Sequence, residues 1–301
     1  MIKNYLKIAI RNIQKNKVYS LINLSGLIIG LTVSILIIIY VRGEVSYDKF
    51  HEKYKNIYRM GLQQMRGNNA EKMATVSPAM GPDIKAELPE FKDHVILKPY
   101  GKAALSINEK EYTSQAMLLA GDSFFNIFSF HVLKKSTNEP LTDPNSIVLS
   151  KSLANKIFGK KDPLGETLLY QNDKLLTVTA IVEDPPIHSH IQYDAILSFS
   201  TISNQPGFYN RWDGNIGFYS YFLMQDGAQP TYDSRLSDLF YANINKNIEE
   251  VGWKMEPVFE PLEDVYLRSN LLYDFSNGGS ITRVYIFSVI AFFILAIATI
   301  N

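Results

Sequence analysis

No cysteine occurs in the 301 residues of this chain. That excludes disulfides, thiolate metal sites and a cysteine nucleophile, and it suits an oxidising compartment. Phosphate-cradling loops of the form GxxxxGK[ST] are missing, Lys160-Lys161 after Gly159 being the nearest approach. Serine elbows of the form G-x-S-x-G are missing too. Histidine is scarce, with five in all, and His188 and His190 form the one H-x-H. No acidic cluster stands near that pair, so a hydrogen-bonding role in a loop is expected rather than metal binding. Adjacent carboxylates at Glu249-Glu250 and Glu263-Asp264 fall on faces expected to be solvated. The chain is therefore expected to hold no catalytic, cofactor or metal site of its own.

Net charge is also absent, but the balance is uneven. Thirty bases face thirty acids, and the first 17 residues hold five bases (Lys3, Lys7, Arg11, Lys15, Lys17) and no acid. The remainder is mildly acidic, which argues against a nucleic-acid partner.

What the sequence does have is two long uncharged runs. Val18 to Val41 spans 24 residues, roughly 36 Å as a helix, enough to cross a hydrocarbon core of about 30 Å. The basic flank before it places the N-terminus on the cytoplasmic side and the chain beyond Val41 outside. The run is too long for a signal peptide and leads into Arg42-Gly43-Glu44-Val45 with no A-x-A cleavage pattern, so a retained anchor is expected. A second run, Val284 to Ile300, is 17 residues long, or about 26 Å, and is expected to continue past Asn301.

The organisation expected is a cytoplasmic amphipathic segment (1–17), a first span (18–41), an extracytoplasmic region (42–283) and the start of a second span (284–301). Lys3, Lys7, Arg11 and Lys15 repeat every four residues beside an apolar set at Leu6, Ala9, Ile10 and Ile13, a pattern suited to a helix lying on the inner leaflet. Gly26, Gly30 and Ser34 lie four apart in the first span and form a candidate helix-packing face. Neither span carries an ionisable group, so an ion or proton path through them is not expected.

The outer region alternates short helix and strand signals. Asp48 is placed to cap a short helix carrying Phe50 and Tyr54, with a strand from Ile57. Ser77-Pro78 and Pro89 bracket a helix, and His94 to Met117 reads as strands turning at Asn108-Glu109-Lys110. Asp122 caps DSFFNIFSF, and Ser150 caps KSLANKIF, which ends at Gly159 after the strand NSIVLS. Two strands meet at Asn172-Asp173, and the loop with both histidines follows Pro185-Pro186 before the strand YDAILSF. Ser200 to Gly217 is expected to be an irregular loop holding Trp212. A strand YSYFLMQ, a turn at Asp226-Gly227, a helix over PTYDSRLSDLFYANINKNIEEV and a strand around KMEPVFEPL complete the region. The fold class is α+β, a mixed α/β extracytoplasmic domain flanked by membrane helices.

Three blocks carry a family likeness: LKIAIRNIQKNKVYSLINLSGLIIGL with YDKFHEKYKNIYR; DSFFNIFSFHVL with DPNSIVLSKSLANKIFGKKDPLGETL and TVTAIVEDPPIHSHIQYD; and PLEDVYL leading into the second span. In that order the chain resembles the MacB/FtsX-like permeases of ABC transporters. The resemblance implies a MacB-like periplasmic core domain of two subdomains, in a multi-pass protein of the bacterial inner membrane. It implies a separate cytoplasmic ABC ATPase, a second permease copy or half, and a periplasmic adaptor as a further partner. Export or extrusion of an antimicrobial peptide, macrolide or lipoprotein-type substrate would follow from conformational change. The segment from Glu44 through Asp48 to Tyr58 would then transmit motion out of the first span. A membrane sensor, histidine kinase or chemoreceptor, with an outer ligand-binding domain shares the gross topology; the basic amphipathic N-terminus argues against it.

Overall fold

The computed structural model describes residues 11, 15–203, 209–275 and 278–300. The basic helix expected over residues 3–17 thus lies almost wholly outside the described residues, as do 204–208 of the Trp212 loop. Two compact units emerge, one of residues 1–46 with 279–301 and one of Tyr47–Gly278.

The first unit is a helix pair. Helix α1 is Lys17–Val45, 29 residues, and the last helix of the chain, Ile281–Ile300, has 20. Both are long and apolar enough to cross a membrane. Helix α1 runs four residues past its uncharged run, because the helix ladder continues through Arg42 and Gly43 until Ser46 folds back to donate to the Gly43 carbonyl, and the last helix starts three residues before its own run. Arg42 in the last turn complements the negative end of the helix dipole. The two helices run antiparallel: Gly30 lies against Ala298, Ser34 against Ala291 and Tyr40 against Phe287. A Cβ on Gly30 would stand 2.7 Å from that of Ala298, so only glycine allows this approach. The Ser34 hydroxyl, 3.4 Å from the Ala291 carbonyl, is buried at the same seam. Gly26, expected on this face, is exposed in the helix pair.

The second unit is built on one 11-stranded mixed sheet. Its strands are β1 (Ile57–Arg66), β2 (Asn69–Met73), β3 (Phe91–Ile107), β4 (Lys110–Ala120), β5 (Val132–Lys135), β6 (Ser146–Ser150), β7 (Thr167–Tyr170), β8 (Lys174–Val182), β9 (Ala195–Ser198), β10 (Tyr219–Met224) and β11 (Trp253–Pro261). The order is β11-β1-β10-β3-β4-β9-β6-β8-β5, with β2 on β1 and β7 between β3 and β8. The chain lays down one end with β1 to β3 and the other with β4 to β9. It then returns to insert β10 between β1 and β3. The two subdomains expected are therefore the ends of one continuous sheet.

Local signals explain most elements. Asn108 and Glu109 both adopt positive φ (50° and 62°), which gives the tight turn between β3 and β4 a twist matching the strands. Gln171 and Asn172 do the same between β7 and β8. Helix α4 (Lys151–Phe158), which follows the short helices α2 (Met80–Glu87) and α3 (Phe124–Ile127), starts where the Ser150 hydroxyl accepts from the Leu153 amide. It ends at Gly159, φ 61°. The long helix expected near residue 240 begins at Asp233, which caps Ser234–Phe240. It widens into a π turn at Tyr241–Asn245 and closes as 3-10 before Gly252.

Three buried clusters fill the unit. One is aromatic, with Phe124, Phe128, Phe130, Tyr193 and Tyr221 packed ring to ring. A second lies under α4 (Leu153, Ile157, Leu149, Val178), and a third joins β1 to α2 (Met60, Leu62, Ile84, Phe222). Trp212 is 3 % exposed and donates its indole N–H to Asp83, so part of the irregular loop is pinned into the third cluster.

Candidate functional site

The expectation that Asp48 caps a helix is not met. Residues 46–53 form turns, and Asp48 sits at φ 59° with its carboxylate 1 % exposed. The reason is tertiary: the carboxylate is drawn inward by the second histidine of the H-x-H loop. Its Oδ1 accepts from the Ser189 hydroxyl (3.2 Å) and the His190 amide (3.1 Å), and Oδ2 lies 2.8 Å from Nδ1 of His190. The Asp48 amide donates to the His188 carbonyl at 2.9 Å, locking the two segments together through the backbone as well.

From His190 the polar chain continues through the sheet. Its Nε2 is 2.7 Å from the Tyr221 hydroxyl on β10. The charge of Arg59 on β1 acts in turn on that hydroxyl. Arg59 is wholly buried and spends its fork on three side chains. It donates to Glu260 on β11 (2.6 Å and 3.2 Å), to Asp274 (2.5 Å and 3.1 Å) and to Ser269 (2.8 Å). Ser269 and Asp274 belong to the segment between β11 and the last helix. The network thus begins three residues after α1 ends and finishes seven residues before the second membrane-length helix begins.

Electrostatics follow from this geometry. Burial alone would raise the Asp48 carboxyl, but attraction and hydrogen bonds from His190 hold it below the ordinary carboxylate range. Burial likewise opposes the charge of Asp274, and the hydrogen bond from Arg59 overcomes it. Burial pushes the Tyr221 phenol up, with the Arg59 charge opposing. Arg59 is disfavoured by burial, yet its neighbours Tyr221, Asp274 and Glu260 raise its affinity for the proton above that of free arginine. His51, one turn beyond Asp48, is 1 % exposed and its Nδ1 accepts from the Ser129 amide at 3.0 Å. An accepting Nδ1 requires the neutral ring, and burial lowers this histidine to about 4.

The other residues singled out in the sequence lie apart. Glu44 is in the last turn of α1. Tyr58 projects into the third core cluster, paired with Phe222 and Pro261 across β1. His188 is half-buried, and its ring meets Tyr47 edge-on at 5.5 Å, while Tyr47 stacks on Tyr266 at 3.3 Å. Both ring nitrogens of His190 are engaged by Asp48 and Tyr221, which leaves no lone pair for a metal, and no metal-binding group of His, Asp and Glu occurs among the described residues. Sequence reasoning missed Arg59, Tyr221, Glu260, Ser269 and Asp274. One signal was present: an arginine inside the apolar strand IYRMGL, a position where a charge must find buried partners.

Chemically the arrangement can hold strands and connecting segments in a fixed relation.

The family model described as the MacB-like periplasmic core domain matches residues 20–232. Among solved structures, a domain described as part of a permease protein from Porphyromonas gingivalis is similar, at 23 % identity and a TM-score of 0.62. That alignment covers 70 % of this chain and 91 % of that one. The periplasmic region of MacB from Actinobacillus actinomycetemcomitans aligns at 15 % identity and a TM-score of 0.43, over 67 % of this chain and 88 % of that one. The extracellular domain of the ABC-type transporter YknZ from Gram-positive bacteria aligns at 12 % and 0.41, over 66 % and 99 %. No curated protein matches the sequence. With more than half of its length matched by the family model, this chain belongs to the MacB-like periplasmic core domain family.

Proposed function

We propose that this chain is part of a permease subunit of an ABC transporter, working with a separate cytoplasmic ATPase and a second copy or half of the permease. The observation that carries the reading is a MacB-like core domain inserted between two helices of membrane-crossing length. In this role the outer domain is moved rather than chemically active. ATP binding on the cytoplasmic side changes the helix pair, and the segment through Glu44, Asp48 and Tyr58 passes that change to the sheet. The Gly30–Ser34 seam supplies the close packing that such transmission needs, with Gly26 open to another helix. The protein resides in the bacterial inner membrane with the domain outside, and a periplasmic adaptor is a further partner. The cargo class is export or extrusion of a peptide, macrolide or lipoprotein.

Purification of the intact protein from its native membranes in mild detergent tests this. An ABC ATPase in stoichiometric amount, with ATP hydrolysis that rises on association, is the expected result. Recovery of a histidine kinase or chemotaxis component in its place would overturn the reading in favour of a sensor.

A further inference from the structure

The chain reaches and leaves the outer domain through two segments of little regular structure, Tyr47–Asn56 and Tyr266–Phe275, and these are where motion would be lost. The first has turns and a single 3-10 turn, the second an isolated bridge at Leu272. Segments of that kind normally belong to the least stable part of a protein. Here both are tied down by the same buried side chains.

We infer that His190 and Tyr221 are positioning residues that weld the two membrane-connecting segments into one rigid body. Asp48 from the first segment is held by Ser189 and His190. His190 is held by Tyr221, whose hydroxyl is under the influence of the buried Arg59 charge. Arg59 grips Asp274 and Ser269 of the second segment. Asp48, Arg59, Ser189, His190 and Tyr221 are each 3 % exposed or less, so water cannot replace a broken link. His190 and Tyr221 each stand between two charged groups, Asp48 in the first segment and Arg59 on β1, and it is Arg59 that reaches the second segment. A second contact lies in parallel, the stacked rings of Tyr47 and Tyr266 with planes 3° apart. A third is the Tyr219 hydroxyl, which donates to the Tyr273 carbonyl. Opening such a network leaves buried charges unpaired, which favours a clamp that stays shut through a transport cycle over a latch that opens in each one. The consequence for coupling rests on the permease reading; the rigidity itself does not.

The experiment uses the intact protein in nanodiscs; these 301 residues hold no cysteine, and any cysteine elsewhere in the protein is first replaced by serine so that introduced labels are unique. Spin labels at the exposed positions Lys49→Cys and Asn270→Cys report the distance between the two segments. A single narrow distance, unchanged by nucleotide on the ATPase partner, is expected. Tyr221→Phe keeps the ring and removes the link, and Asp48→Asn keeps the shape and the positive φ while removing the charge. Both are expected to give a second distance population while the domain's cooperative melting is retained. With the ATPase partner present, Tyr221→Phe should lower ATP-dependent transport by about fivefold or more. A short thiol-bridging reagent across Tyr47→Cys and Tyr266→Cys should restore it, a rescue that a merely destabilised domain would not show. A wild-type distance that is already broad, or one left untouched by both variants, overturns the clamp. If no ATPase associates, the permease reading fails while the distance measurement still decides the clamp. If the ATPase associates and the bridge abolishes transport, the segments must part and the clamp is wrong.

Discussion

Replacing Arg59 by methionine is the sharpest probe of the buried network. The side chain is 0 % exposed, and its two carboxylate partners, Glu260 and Asp274, are 15 % and 21 % exposed. Methionine keeps most of the volume but leaves two carboxylates facing each other without a cation and strips Ser269 of a donor. Removing one partner of a buried ion pair costs about 3–5 kcal/mol. For a unit of this size each kcal/mol moves the melting temperature by about 2–4 °C, so a fall of about 6–20 °C is expected by calorimetry or circular dichroism. Arg59→Lys should recover little, because an ammonium cannot present the fork that serves Glu260, Ser269 and Asp274 together. The combination Arg59→Met with Glu260→Gln and Asp274→Asn should be more stable than Arg59→Met alone, since the repelling charges are gone. Arg211→Met is the control: its bond to Asp213 joins side chains 66 % and 40 % exposed, and a loss below about 1 kcal/mol is expected. An Arg59→Met protein that melts within a degree or two of wild type would refute the claim that this network carries stability.

Three further outcomes are expected. Stability should fall as pH drops from 6.5 toward 4, because unfolded His51 and His94 take up protons that the folded forms, at about 4 and about 3, refuse; the His51 share of the loss by pH 5 is about 2 kcal/mol in denaturant titrations. His51→Asn should reduce that slope by about half, and an unchanged slope would exclude His51 as a source. Gly61→Ala should destabilise by about 1–3 kcal/mol, since a Cβ would stand 2.4 Å from the Met73 carbonyl oxygen, a backbone atom on β2 that cannot step aside; a neutral effect in the same titration would show that β2 can shift. Gly30→Leu should force the helix pair apart at Ala298, abolishing thiol cross-linking between Ser34→Cys and Ala291→Cys and uncoupling transport while ATPase association persists. Wild-type transport in that variant would remove the seam from the mechanism.

Sequence signals that act within a few residues were legible, and those that act across the sheet were not. Ser150 and Gly159 bounded their helix because cap chemistry is local. Asn108-Glu109 and Asp226-Gly227 marked turns because few residues tolerate positive φ. The short edge strands β2 and β5 gave no such signal: NAEKM and VLKK are polar and brief, and their strand state comes from pairing with β1 and β8. Asp48 read as a helix cap because a short acidic side chain ahead of Phe50 is the local pattern. Its burial is decided by His190, 142 residues later. Arg59 and its partners Glu260 and Asp274 are more than 200 residues apart in sequence, a distance over which one chain gives no pairing information. The H-x-H loop was expected to make hydrogen bonds, and His190 does so from a buried position, whereas His188 remains at the surface.

The central claim is that the outer domain answers to ATP on the other side of the membrane. It is tested most directly with the intact permease and its co-purified ATPase in nanodiscs, with one spin label per copy at the exposed Val251→Cys. ATP with vanadate is predicted to shift the distance between labels on paired copies, and release of nucleotide to reverse the shift. A distance that stays the same in every nucleotide state, while ATP is being hydrolysed, would contradict the account.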